Sequence, residues 1–119
     1  VRNCTLFNVS NNNIGGTIPS FSGCPSIQFL DLSRNQFDRY TPTSLSALTK
    51  LRSLNISNCS LNASTIEDIL SDLIVNYQGR NRIGVEVNLL ANSASETDLS
   101  ENGLTLLSTV RGFGWTVLL

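Results

Sequence analysis

The chain has 119 residues, of which 40% are hydrophobic and 14% charged, with a net charge of −1. That length supplies one domain's core, and the charge builds no positive field to gather nucleic acid or anionic lipid. Histidine is absent, which removes the commonest general base near neutral pH and most zinc and nucleophile–base arrangements. No run of about 18 apolar residues could span a bilayer, and the N-terminus lacks the basic-then-apolar layout of a signal peptide. Methionine is absent too, so the expectation is a processed chain or a piece of a longer one.

In chain order, the opening stretch CTLFNVSNNNI sets Cys4, Phe7, Val9, Asn12 and Ile14 at a spacing that fits neither a plain helix nor a plain alternating strand. The same layout returns 23 residues on, at Ile27, Leu30, Leu32, Asn35 and Phe37, and again at Leu51, Leu54, Ile56, Cys59 and Leu61. A weaker fourth copy is read at Ile83, Val85, Asn88 and Leu90. The spacers keep register as well, with Ile18-Pro19, Phe21 and Cys24 matching Thr41-Pro42, Leu45 and Leu48. Four units follow, at about 4–26, 27–50, 51–82 and 83–119. The first two return by loops rich in Pro and Gly.

The third unit changes character. ASTIEDILSDLIVNY carries Ile66, Ile69, Leu70, Leu73, Ile74 and Tyr77 at helical spacing, which predicts a helix over 64–77 with Ser64 and Glu67 as its capping box. A second helix is predicted from about Asp98 to Val110, through Leu99, Leu106, Leu107 and Val110; Gly112 and Gly114 stop it, and WTVLL closes the chain as a strand.

The layout L-x-x-L-x-L-x-x-N-x-L resembles the leucine-rich repeat, in which each unit gives one short strand and a return path, and units stack into a curved solenoid. The fold expected is therefore an α/β solenoid: a short parallel sheet on the concave face, loop returns early and helical returns late, forming one domain over 1–119. Asn12, Asn35, Cys59 and Asn88 are expected to stack as an inward ladder bonding backbone groups at the turn, with Cys59 the departure. The portions GGTIPSFSGCPSIQFLDLSRNQF, LNASTIEDILSDL and STVRGFGWTVLL are similar to leucine-rich-repeat proteins of tailed bacteriophages and some bacterial surface proteins. Ile66, Asp68, Ile69 and Leu70 echo that group's helix, and Gly114, Trp115, Thr116 and Val117 its closing strand. The resemblance implies a virion structural component on a tail, fibre or capsid surface, touching other virion subunits and a host-surface protein or glycan. The alternative is an extracellular recognition module of a cell-surface protein binding peptide or glycan.

No catalytic, metal-binding or cofactor motif is legible. Cys4, Cys24 and Cys59 have no C-x-x-C spacing and read as buried small hydrophobes; Glu67, Asp68 and Asp72 read as a solvated helix face; GGTIP lacks the phosphate-loop lysine. Five Asn-x-Ser/Thr sequons stand at Asn3, Asn8, Asn55, Asn58 and Asn62, open either to glycosylation or to the simple suitability of Asn and Ser for turns.

The functional surface is expected on the outward strand face. Leu6, Phe29, Ser53 and Arg82 should form one column, Asn8, Asp31, Asn55 and Gly84 the next, and Ser10, Ser33, Ser57 and Glu86 a third. The candidate binding residues are Phe29, Asp31, Arg34, Arg52, Asn55, Arg82 and Glu86, with Phe29 and its arginine neighbours at the centre. The first unit, with Cys4, Phe7 and Val9 facing inward, should leave an uncapped solenoid end and so points to an assembly or a longer chain.

Overall fold

A computed structural model describes residues 3–78 and 82–119. The third unit's span therefore crosses 79–81, which lie outside the described residues. The repeat spacing produces five three-residue strands, β1 (Leu6–Asn8), β3 (Phe29–Asp31), β5 (Ser53–Asn55), β6 (Glu86–Asn88) and β7 (Thr116–Leu118). They form one parallel sheet in the order β1-β3-β5-β6-β7, in unbroken register. The middle residue of each strand points inward: Leu30, Leu54, Val87 and Val117 are buried and Phe7 is partly so. Their neighbours on either side face out, as a period of two requires.

The return paths differ between the two halves, as the sequence suggests. Early returns are more ordered than loops, because β2 (Gly15–Ile18) and β4 (Gln36–Tyr40) pair as a second parallel sheet. A register shift at Gly16/Thr17 interrupts their alternation, which hides the strands from a search for period two. Late returns are helical: α1 (Ala63–Tyr77) and α2 (Glu101–Gly112), the latter preceded by a 3-10 turn at Glu96–Asp98. The predicted helices thus form, the second starting three residues later than expected.

The caps differ from expectation. Asn62, not Ser64, caps α1, its Oδ1 accepting from Thr65 N at 2.9 Å. Glu67 instead reaches α2, where its carboxylate accepts from Ser100 N and Ser100 Oγ at 3.0 Å; that same Oγ accepts from Gly103 N. A Cβ on Gly103 would come within 2.5 Å of the Glu67 carboxylate, so a residue without one lets the two helices meet there.

One core runs through the stack, built from Ile27, Leu30, Leu32, Leu51, Leu54, Ile56 and Leu61 and roofed by Ile66, Ile69, Leu70 and Leu73 of α1. Two buried polar ties hold the return paths. The Tyr40 hydroxyl donates to the Asp72 carboxylate of α1 and accepts from Leu45 N at 3.0 Å. Asn76, fully buried, donates to the Leu45 and Leu48 carbonyls at 2.7 and 2.9 Å. At the first unit's end, Phe7, Val9, Ile14, Phe21 and Phe37 line an apolar depression of about 240 Å³.

Candidate binding face

The turn that ends each strand is set by one repeated backbone choice. Asn11, Arg34, Asn58 and Ala91 all take positive φ, between 54° and 62°, one residue before the inward ladder position. The turn lets the next side chain swing under the sheet. Asn35 shows the result: Oδ1 accepts from Asn12 N and Ile14 N, and Nδ2 donates to the carbonyls of Val9, Leu32 and Ser33. Asn12 donates likewise to Val9 and Ser10, and the Cys59 thiol faces the Leu32 and Ser57 carbonyls at 3.4 and 3.6 Å. Burial raises the Cys59 pKa above the ordinary thiol value.

The fourth rung is Asn92, not Asn88. Asn92 Oδ1 accepts from Cys59 N and Leu61 N, and its Nδ2 donates to Ile56 and Leu89. Asn88 lies four positions earlier in the repeat, on the strand's outer face, beside Asn55. The fourth copy is thus displaced by four residues from its expected register, and Ile83, expected inside, is 78% exposed. The reason is Gly84, which occupies the unit's first position at φ 76° and passes the core-filling role to Val85. Gly114 and Trp115 repeat the exchange in the fifth strand.

With the register corrected, the outward columns are Leu6, Phe29, Ser53, Glu86 and Thr116, then Asn8, Asp31, Asn55, Asn88 and Leu118. Leu6 and Phe29 are 62% and 44% exposed, an apolar pair at one end of a strip otherwise polar until Leu118. In the second column each side-chain oxygen also holds its own turn. Asp31 Oδ1 accepts from Ser33 N at 3.0 Å and Oγ at 2.6 Å, and Asn55 Oδ1 does the same for Ser57 at 3.0 and 2.7 Å. Those side chains are fixed before any ligand arrives. Two shallow depressions of about 240 and 220 Å³ lie along the strip, one around Phe29 and Asp31 and one around Glu86 and Asn88.

Of the expected binding residues, Phe29, Asp31, Asn55 and Glu86 share this strip, with Glu86 in the first column rather than the third. Arg52 is exposed just before β5, and Arg34 is exposed in the turn after β3, so the two arginines stand at opposite ends of the strands. Arg34 lines a polar trough with Asn11, Asn13, Gln36 and Asn58. Arg82 is not on the strip. It donates to the Leu51 carbonyl at 2.7 Å, bonds Asn76 Oδ1, and lies 5.4 Å from the centre of the Trp115 ring, a structural clamp under the sheet. Leu6, Asn88 and Thr116 stand on the strip without having been candidates; placing Asn92 at a ladder position finds Asn88. Among the described residues no group of three His, Cys, Asp or Glu side chains stands close enough to hold a metal ion.

A family model described as leucine rich repeat matches residues 2–61, half of the chain, and a second leucine-rich-repeat model matches 50–73. The chain is a leucine-rich-repeat protein. This leucine-rich-repeat chain is 36% identical over 77 residues, 61% of its length, to the receptor protein-tyrosine kinase CEPR1 of Arabidopsis thaliana. The match covers 8% of that kinase, so the chain spans a small part of the relative. No solved structure matches significantly. Among the described residues no helix is long and apolar enough to cross a membrane. Membership of this family makes the chain an interaction module, and the ladder beneath the five-strand face is its scaffold.

Proposed function

We propose that this leucine-rich-repeat module serves as part of the extracellular recognition region of a receptor-type protein, binding an extended peptide across the concave strip. The observation that carries this reading is the exposed Leu6–Phe29 pair set beside the pre-ordered Asp31 and Asn55 column. An apolar anchor next to fixed hydrogen-bonding groups suits a peptide, whose side chain fills the first and whose amides meet the second. Similarity to a receptor kinase supports this placement, and nothing in the comparisons points to a virion. The virion component expected from the phage resemblance therefore gives way to the receptor-type module.

The test is selection from a displayed peptide library, followed by affinity measurement against Phe29→Ala and the double variant Phe29→Ala/Arg52→Ala. Selected peptides should lose about tenfold in affinity or more with Phe29→Ala, the loss of about 1.4 kcal/mol or more that a buried aromatic anchor gives. Equal binding by correctly folded variants would contradict the site, and binding to displayed glycans alone would contradict the peptide assignment.

A further inference from the structure

The chain carries five sequons, whose repeated Asn-x-Ser/Thr pattern recognition by the strip does not account for. The structure sorts the asparagines by what the carboxamide nitrogen does. Asn12, Asn35, Asn76 and Asn92 each donate from Nδ2 to main-chain carbonyls, and none of the four begins a sequon. Asn8, Asn55 and Asn62, which do begin sequons, bond through Oδ1: to Ser10 N, to Ser57, and to Thr65 N. An N-linked glycan replaces one hydrogen on Nδ2 and leaves Oδ1 an acceptor, so a structural role carried by the oxygen survives modification. The sugar must also stand in water.

Those two conditions, with a third that the strand face stays open, separate the sequons. Asn55 is half-buried in a central strand, and its sequon hydroxyl, Ser57, is buried and donates to Asn55 itself. Asn8 lies on the strip. Asn58 already uses Nδ2 toward Ser57 Oγ at 3.4 Å, and its middle residue, Cys59, is anchored beneath the sheet. Asn3 is exposed but adjoins residues that are not described. At Asn62 both the asparagine and the sequon hydroxyl, Ser64, are exposed, and the residue stands beyond the turn, at the start of the return helix.

We propose that Asn62 is an N-glycosylation site, its carboxamide oxygen capping α1 while its nitrogen carries a glycan that projects from the return path and leaves the strand face open. The proposal rests on the extracellular reading above, because the donor is a lipid-linked oligosaccharyl diphosphate of the secretory pathway. In the transfer the bond from Nδ2 to the anomeric carbon forms as the anomeric carbon–phosphate oxygen bond breaks. The lipid diphosphate leaves with the electron pair, and one Nδ2 proton is lost to base.

The experiment directs the chain into the secretory pathway of eukaryotic cells with an added signal sequence, then maps occupancy by enzymatic glycan release in heavy-oxygen water. Asn62 should become labelled aspartate in the wild-type chain and in Ser64→Thr. Ser64→Ala, which keeps the Asn62 cap, should lose the label at that position while still being secreted and folded. A secreted, folded wild-type chain with Asn62 unmodified overturns the proposal. If the directed chain is modified there but the protein isolated from its natural source is not, the site stands and the extracellular reading falls.

Discussion

Asn35 makes five bonds to the main chain from one side chain, joining the turn of its own unit to the unit before it. Replacing it with alanine leaves buried main-chain groups without partners, and Asn35→Ala should cost about 3 kcal/mol in urea unfolding. Ala91 tests the same turn from the other side, since it holds φ 58° where only glycine is unstrained. Ala91→Gly should stabilise the chain by about 0.5–1 kcal/mol, read as a raised urea midpoint with unchanged slope. The ladder at Asn12, Asn35 and Cys59 was legible because three copies share one spacing. Asn92 was not, because glycine at the fourth unit's first position removes the apolar residue that would have fixed the register. Nor does spacing reveal that Arg82 lies under the sheet: an arginine before a strand reads as outward unless the carbonyl and ring it meets are known.

At the scale of elements, both helices were legible from their apolar period, while their caps were not. Asn62 competes with Ser64 for the cap, and Glu67 finds a partner on α2, a contact that sequence distance conceals. The β2–β4 pair was hidden by its bulge. The tie between β4 and α1 is where chemistry and stability meet. Burial, the hydrogen bond to Asp72 and the nearby carboxylate charge all push the Tyr40 hydroxyl pKa well above its ordinary value. A folded state that holds this proton more tightly than the unfolded chain loses stability as pH rises past the unfolded tyrosine value of about 10. Ionisation of this group should leave stability independent of pH below that value and make it fall steadily above it, with the fall reduced in Tyr40→Phe. At neutral pH Tyr40→Phe should itself cost about 2 kcal/mol, because the Asp72 carboxylate and the Leu45 amide lose their partner. Thermal unfolding across pH 7 to 11 reads both effects.

For the whole molecule, stacking decides what the surface can be. Parallel strands about 4.8 Å apart convert a linear repeat into columns, so residues more than 20 apart in sequence become neighbours. Phe29, Asp31 and Asn55 could be placed on one face from the period alone, whereas Glu86 needed the corrected fourth register to move beside Ser53. The most direct test of the recognition claim is an NMR titration of the labelled chain with a library-selected peptide. The account expects shift changes concentrated at Leu6, Phe29, Asp31, Ser53, Asn55 and Glu86. Changes confined to the outer faces of α1 and α2, or to the trough around Asn11 and Arg34, would contradict it.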